Sequence, residues 1–225
     1  MAENRCSRHA SPCAPLRRNH HSRLLFCNLC RLGLRTVPPF VKKVAAFTKH
    51  LNLSNNKLQA IPPFLGTFRH LETLNLASND LEELCEDVGR LLLLRALYLD
   101  SNKLTELPES IGELENLQIL VVRSNKLVLL PNTIGRCKHM HSLDLGSNEL
   151  EFLPETLEFC SELKCLGLGN NAFEHLPGWI GRISGMEYIY TSAKTSDIAR
   201  SKTKGKKRGG NRNAISTAQF RYADE

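Results

Sequence analysis

The sequence lacks long hydrophobic runs and is poor in aromatic residues. Aromatic side chains make up 6% of the 225 residues, and there is a single tryptophan. The leucine run at residues 91–94 ends at Arg95, far short of the 18 or more apolar residues that a membrane-spanning helix needs. The basic residues near the amino terminus are not followed by an apolar segment, so no secretory signal is predicted. We therefore expect no membrane span.

Motifs of catalysis are also missing. The sequence has no phosphate-binding glycine loop, no His-Glu-x-x-His motif, no Gly-x-Ser-x-Gly nucleophile elbow and no kinase signature. His139 and His141 have no partner that the spacing defines. We therefore predict no catalytic residue, no cofactor and no enzyme activity.

A leucine pattern repeats along most of the chain. Residues 94–104, Leu-Arg-Ala-Leu-Tyr-Leu-Asp-Ser-Asn-Lys-Leu, follow the pattern L-x-x-L-x-L-x-x-N-x-L. Six copies start 23 residues apart, at Thr48, Leu71, Leu94, Leu117, Met140 and Leu163. Inside each copy, apolar residues alternate with exposed neighbours, which is typical of a short strand with one buried face. Stacked copies would form a parallel sheet.

This pattern resembles the leucine-rich repeat family. The phrase Leu-x-x-Leu-Pro follows at residues 104–108, 127–131 and 150–154, and it resembles the Ras group of intracellular leucine-rich repeat proteins. The resemblance implies an α/β solenoid shaped like a horseshoe, with a parallel β-sheet on the concave face and short helical or 3₁₀ turns on the convex face. It also implies small GTPases or protein phosphatases as partner classes.

The repeats divide the chain into three parts. Residues 24–193 form the predicted repeat domain, with six clear repeats at 48–185 and degenerate repeats at 24–47 and from 186. The net charge of +7 lies at the ends: residues 1–23 hold 5 cations and 1 anion, and residues 194–225 hold 9 and 3. We predict that both ends are disordered. The domain between them is mildly acidic.

An asparagine recurs at position nine of every clear repeat. Its amide can bond backbone groups of its own coil and of the adjacent coil that stacking would otherwise bury unpaired. We predict a structural ladder formed by Asn56, Asn79, Asn102, Asn125, Asn148 and Asn171.

The repeat register also sorts the eight cysteines. Cys27, Cys137 and Cys160 stand at apolar positions, where a free thiol acts as a small hydrophobe. Cys27-x-x-Cys30, with further cysteines and histidines upstream, could also indicate a zinc site. The two thiols should lie on opposite faces of one strand, so we predict no metal site. The spacing does not suggest a disulfide framework, and we expect reducing, intracellular surroundings.

Binding is expected on the concave sheet face, the surface that solenoids use for recognition. Exposed apolar side chains between charges would form its centre. The candidate residues are Tyr98, Asp100, Ile119, Val121, Arg123 and Asp144. The alternative is that these β-branched and aromatic residues serve only strand formation.

The carboxyl-terminal tail is a second candidate site. Its basic core consists of Lys202, Lys204, Lys206, Lys207 and Arg208. Such a run is typical of nuclear import or of non-specific nucleic-acid binding, and a merely solvated tail is the alternative. No aromatic residue stands among the cations to stack on bases, so binding to nucleic acid would be weak.

Together these features predict a non-enzymatic scaffold that binds partner proteins on its concave face in intracellular, Ras-type signalling. We expect it in the cytoplasm, and also in the nucleus if the tail directs import. The alternative is a nuclear protein whose tail mediates import or nucleic-acid binding while the repeats recruit a protein partner.

Overall fold

A computed structural model describes residues 16–18, 24–183, 185–191 and 214–215. Its strands form one sheet in sequence order. The strands are β1 (Leu16–Arg18), β2 (Leu24–Asn28), β3 (His50–Asn52), β4 (Thr73–Asn75), β5 (Ala96–Tyr98), β6 (Ile119–Val121), β7 (Ser142–Asp144), β8 (Cys165–Gly167), β9 (Tyr188–Tyr190) and β10 (Ala214–Ile215). β1 is antiparallel to β2, and all later neighbours are parallel.

Strands β1 and β10 fall within the two ends that the sequence predicts to be disordered. The other residues of 1–23 and most of 194–225 lie outside the described residues. The disorder of those stretches therefore stays a prediction.

Short 3₁₀ helices form the side of each coil opposite the sheet, as the sequence predicts. They are η1 (Pro39–Val44), η2 (Pro63–Thr67), η3 (Glu86–Arg90), η4 (Glu109–Glu113), η5 (Asn132–Arg136), η6 (Glu155–Phe159) and η7 (Gly178–Arg182). No helix among the described residues is long and apolar enough to cross a membrane.

The proline of the Leu-x-x-Leu-Pro phrase lies immediately before the 3₁₀ helix of its coil. Pro108 is extended, with φ −66° and ψ 150°, and it precedes η4 rather than beginning it. Its carbonyl accepts the N–H of Ile111 at 3.0 Å, which is the first bond of the helix. Proline suits this place because it lacks an N–H, which would have no partner there.

The repeated leucines form one core along the whole stack. Leu94, Leu97, Leu99 and Leu104 are all fully buried, and the same core runs without a break from Cys27 to Met186. Each coil buries its apolar residues only against its neighbours, as expected of a solenoid.

A left-handed residue turns the chain out of each strand. Position eight has φ between 55° and 58° in all six clear repeats, although it is serine or asparagine and not glycine. Residues other than glycine rarely adopt this conformation. The stack maintains it through bonds such as that from the Ser101 N–H to the Arg123 carbonyl of the next coil, at 2.8 Å.

The asparagine ladder is confirmed. The Asn102 amide Nδ2 donates to the Leu99 carbonyl of its own coil at 2.9 Å and to the Leu76 carbonyl of the previous coil at 3.0 Å. Its Oδ1 accepts the Leu81 N–H at 3.1 Å. The other five asparagines make the same bonds, and only Asn171, in the last clear repeat, is half-buried rather than buried.

Candidate functional site

The concave face carries two rows of side chains that run across the parallel strands. Neighbouring strands in a sheet lie about 4.8 Å apart, so residues at the same position of adjacent coils are close together. Position three gives the row Phe26, His50, Thr73, Ala96, Ile119, Ser142, Cys165 and Tyr188. Position five gives the row Asn28, Asn52, Asn75, Tyr98, Val121, Asp144, Gly167 and Tyr190.

Four predicted contact residues lie together at the centre of this face. Tyr98 belongs to β5 and Ile119 to β6, while Asp100 and Arg123 occupy position seven of the same two coils. All four are half-buried. The structure therefore brings a phenol, an aliphatic side chain and both signs of charge onto two adjacent coils.

Burial shapes the electrostatics of this centre. Burial raises the pKa of the Asp100 carboxyl, and the nearby Asp144 carboxylate raises it further, while Arg123 acts in the opposite direction. Burial also raises the pKa of Tyr98, with a contribution from Asp100. The Asp100 carboxylate is thus under-solvated on this face.

Val121 and Asp144 are not available for contact, so the prediction that they are exposed is wrong. Each is 1% exposed. Val121 has a short side chain between Tyr98 on one neighbouring strand and Asp144 on the other. Asp144 turns inward because its Oδ1 accepts the N–H of Gly146 at 3.0 Å, so its carboxylate serves the turn after the strand.

Position five also holds three asparagines that the sequence analysis did not select as site residues. Asn28, Asn52 and Asn75 accept the N–H two residues further on, at 3.2, 3.0 and 3.0 Å. These half-buried amides line the amino-terminal half of the concave face. The recurrence of asparagine at one position in three successive coils was the signal that could have revealed them.

A family model described as a leucine-rich repeat region matches residues 48–136. The fold is a leucine-rich repeat solenoid. No curated protein matches the sequence significantly. Among solved structures, a leucine-rich repeat protein of Leptospira interrogans is 30% identical, with a TM-score of 0.66 over 74% of this chain and 48% of its own.

Two other solved structures also share the leucine-rich repeat fold. One is the ectodomain of the Arabidopsis thaliana membrane receptor kinase GASSHO1/SCHENGEN3, in complex with CASPARIAN STRIP INTEGRITY FACTOR 2. It is 28% identical, with a TM-score of 0.60 over 80% of this chain and 25% of its own. The functional domain of InlJ from Listeria monocytogenes is 21% identical, with a TM-score of 0.65 over 76% and 35%. The chain thus spans less than half the length of each of these proteins.

Stacked aromatic pairs lie near both ends of the leucine-rich repeat sheet, on β2 and β3 and on β9. Phe26 stacks on His50 with ring centroids 4.4 Å apart, and burial lowers the pKa of His50. Tyr188 and Tyr190 stack at 6.3 Å on β9. The first pair joins the degenerate repeat at 24–47 to the first clear repeat, and the second lies in the degenerate repeat from 186. The repeat pattern therefore predicted neither pair.

Burial raises the pKa of the thiols at the apolar positions of the leucine-rich repeats, which disfavours the reactive thiolate form. Cys27, Cys137 and Cys160 are buried as predicted, and burial raises the pKa of Cys137 and Cys160 to about 12. Cys30 is half-buried. Within the described residues no group of three or more metal-ligating side chains could hold a metal ion. The upstream cysteines and the basic core from Lys202 to Arg208 lie outside the described residues.

Proposed function

We propose that the chain is a non-enzymatic interaction module that binds partner proteins through its concave face. The observation that carries this proposal is the central group of Tyr98, Asp100, Ile119 and Arg123, which are half-buried on two adjacent coils. Leucine-rich repeat solenoids are typically protein-binding scaffolds, and their concave surfaces are long enough to hold an extended partner.

The chemistry of the group indicates how a partner would be held. Tyr98 and Ile119 offer apolar area that is already partly desolvated, which suits the centre of an interface. A donor or cation from the partner would compensate the under-solvated carboxylate of Asp100, and a carboxylate would meet Arg123. Binding of such a partner should lower the pKa of Asp100.

We further propose a role in intracellular signalling, with a small GTPase or a protein phosphatase as the partner and a cytoplasmic location. The support is the Leu-x-x-Leu-Pro phrase and the repeat length of 23 residues, both typical of the Ras group.

Affinity purification from cells tests the concave site. We expect the double variant Tyr98→Ala, Arg123→Ala to lose partners that the unchanged chain retains. The control, Arg136→Ala with Lys138→Ala, removes two exposed cations from and beside η5 and should retain them. If the concave variant purifies with the same partners as the unchanged chain, the site is wrong.

The basic tail supports a second candidate, a nuclear protein that binds nucleic acid weakly. Its five basic core residues stand within seven positions, 202–208. Nucleic-acid binding that falls steeply with salt and disappears when residues 194–213 are deleted would favour this candidate. Partners lost only with the tail would favour it over the concave site.

A further inference from the structure

We propose a second docking surface on the flank of the solenoid, where it would bind a basic segment of a partner protein that carries large apolar side chains. The surface, called here the acidic flank, consists of positions twelve to seventeen of the six clear repeats, which are residues 59–64, 82–87, 105–110, 128–133, 151–156 and 174–179. In each coil the acidic flank begins after the strand and ends within the 3₁₀ helix. It shares no residue with the concave site, so the two proposals are independent.

An apolar patch lies at the centre of the acidic flank. Val128 and Leu129 are 51% and 55% exposed, and Phe152, at the position of Leu129 in the next coil, is 78% exposed. The two coils are in direct contact on both sides of these residues, because the Glu149 N–H donates to the Leu127 carbonyl at 2.9 Å and the Thr156 hydroxyl donates to the Asn132 carbonyl at 2.7 Å. The three side chains therefore form one patch and not isolated residues.

The fold does not require apolar residues at these places. In the other clear repeats, position twelve holds Gln59, Glu82, Thr105, Glu151 and Glu174, and position thirteen holds Ala60, Glu83, Glu106 and His175. Those coils stack equally well with polar or small side chains. Large exposed apolar groups confined to two adjacent coils are typical of an interaction surface.

The aspartate and glutamate side chains of the acidic flank are not balanced by lysine or arginine within it. The acidic flank holds eight exposed glutamates and one half-buried aspartate, and neither lysine nor arginine. The glutamates in the coils that carry the patch, or in the coils next to them, are Glu106, Glu109, Glu151, Glu155 and Glu174. None of the eight glutamates forms an ion pair with a described residue. Described cations outside the flank include Lys103 and Lys126 at position ten, which border the concave face, and Arg90 and Arg136 at the last residues of η3 and η5.

This pattern selects a basic occupant. A partner that covers the patch also brings its own charges near the surrounding glutamates. Cations there would be attracted and anions repelled. Leu129 and Phe152 would contact the partner's apolar side chains, while lysines or arginines on either side would meet the glutamates. The basic part of the chain's own tail is less suitable, because residues 194–213 contain no apolar side chain larger than Ile198.

The test uses the full chain and a fluorescent synthetic peptide in which lysines alternate with leucines, followed by anisotropy. A second peptide replaces each leucine by serine and keeps the charge. We expect the lysine–leucine peptide to bind the unchanged chain, and Leu129→Ser with Phe152→Ser to weaken it about tenfold or more. Glu106→Gln with Glu151→Gln should weaken it and flatten its dependence on salt.

A matched control removes an exposed apolar pair near other glutamates. Leu92 is exposed in the groove beside Glu113 and Glu115, and its chain neighbour Leu93 is also exposed; both lie outside the acidic flank. Leu92→Ser with Leu93→Ser should leave the affinity within about twofold.

Four results would overturn the proposal. The first is a control variant that weakens binding as much as the flank variant, and the second is a serine peptide that binds as tightly as the leucine peptide. The third is a loss of binding in Tyr98→Ala, Arg123→Ala, which would place the peptide on the concave face. The fourth is an affinity that rises about tenfold when residues 194–225 are deleted, which would make the chain's own tail the occupant.

Discussion

Asn125 shows how a single side chain joins two adjacent coils at three backbone groups. Its Nδ2 donates to the carbonyls of Leu99 and Val122 at 2.9 and 3.0 Å, and its Oδ1 accepts the Leu104 N–H at 3.0 Å. Water cannot replace these bonds, because the asparagine and both leucines are buried. The parallel sheet alone leaves these backbone groups without partners at the point where the chain turns out of the strand.

Replacing Asn125 by alanine should therefore be costly. We expect Asn125→Ala to lower the free energy of unfolding by about 3 kcal/mol, because it leaves the buried Leu104 N–H unpaired and removes one of the two amide donors from each of the Leu99 and Val122 carbonyls. Urea denaturation measures the change. As a control, Asn132→Ala alters an exposed side chain that makes no hydrogen bond with a described residue, and it should shift stability by less than about 0.5 kcal/mol. Equal losses in both variants would contradict a role for the ladder.

Asp100 predicts a dependence of stability on pH. Its pKa is raised in the folded chain, so the folded state holds the proton more tightly than the unfolded state does. The carboxyl group therefore lowers stability above its folded pKa, and this penalty disappears as pH falls below the ordinary aspartate value of 3.8. Asp100→Asn keeps an acceptor oxygen without the charge.

Thermal unfolding of Asp100→Asn and the unchanged chain across a pH series checks this. The variant should melt higher at neutral pH, and the difference should shrink towards zero in acid. A variant that melts lower than the unchanged chain at neutral pH would show instead that the carboxylate stabilises the fold.

The residue scale is also where sequence reasoning reached its limit. Period-two alternation placed Tyr98, Ile119, Val121 and Asp144 correctly on the concave side of the strands. It could not show that Val121 is covered by its neighbours or that Asp144 bonds the Gly146 N–H. Alternation gives the direction of a side chain, whereas exposure on a curved face depends on the sizes of the side chains in adjacent coils.

At the scale of the elements, a glycine sets the distance between the neighbouring 3₁₀ helices η5 and η6. An added Cβ at Gly135 of η5 would lie 2.7 Å from the carbonyl carbon of Thr156 and 2.8 Å from its Cβ. Thr156 cannot move aside easily, because its Oγ1 donates to the Asn132 carbonyl at 2.7 Å. The close approach of η5 and η6 therefore requires a residue without a side chain.

We expect Gly135→Ala to lower stability by about 2 kcal/mol, since the extra methyl group forces two coils apart. This is the opposite of the usual gain when alanine replaces glycine in a helix. Gly181 stands at the same position of η7 but has no described atom within 4 Å of a built Cβ. Gly181→Ala should be neutral or slightly stabilising, and denaturant titration of both variants compares them. A neutral Gly135→Ala would mean that the convex side yields easily.

Strands and 3₁₀ helices were largely predictable because both follow the repeat. The leucine at position four falls within a strand in every clear repeat, and a 3₁₀ helix follows each proline phrase. The proline lies one position before the helix, because its extended ψ places only its carbonyl in the first turn. The repeat pattern specifies only residue types, so it could not predict the ψ angle of the proline.

At the scale of the whole molecule, the solenoid separates its surfaces. The concave group lies on β5, β6 and the turns after them, whereas the acidic flank begins five positions beyond position seven in each coil. Two proposed partners could thus occupy the same coils together. A chain with a single surface could not act as a scaffold in this way, because one partner would displace the other.

Stability should also vary along the stack. In a solenoid each coil contacts only its neighbours, so an end coil opens by breaking one interface and a central coil by breaking two. Cys27 of β2 lies near one end, whereas Cys137 follows η5 near the middle. Both thiols are buried, so alkylation requires opening of the coil that holds each one.

We expect iodoacetamide to modify Cys27 at least about tenfold faster than Cys137 under native conditions, as mass spectrometry of the digested protein would show. Cys137 should react slowly because its pKa near 12 leaves almost no thiolate until the coil opens. In denaturant the two rates should converge, which controls for local sequence effects. Equal rates in the native protein would show that the repeats open only together, and the stack would then behave as one cooperative unit despite its nearest-neighbour contacts.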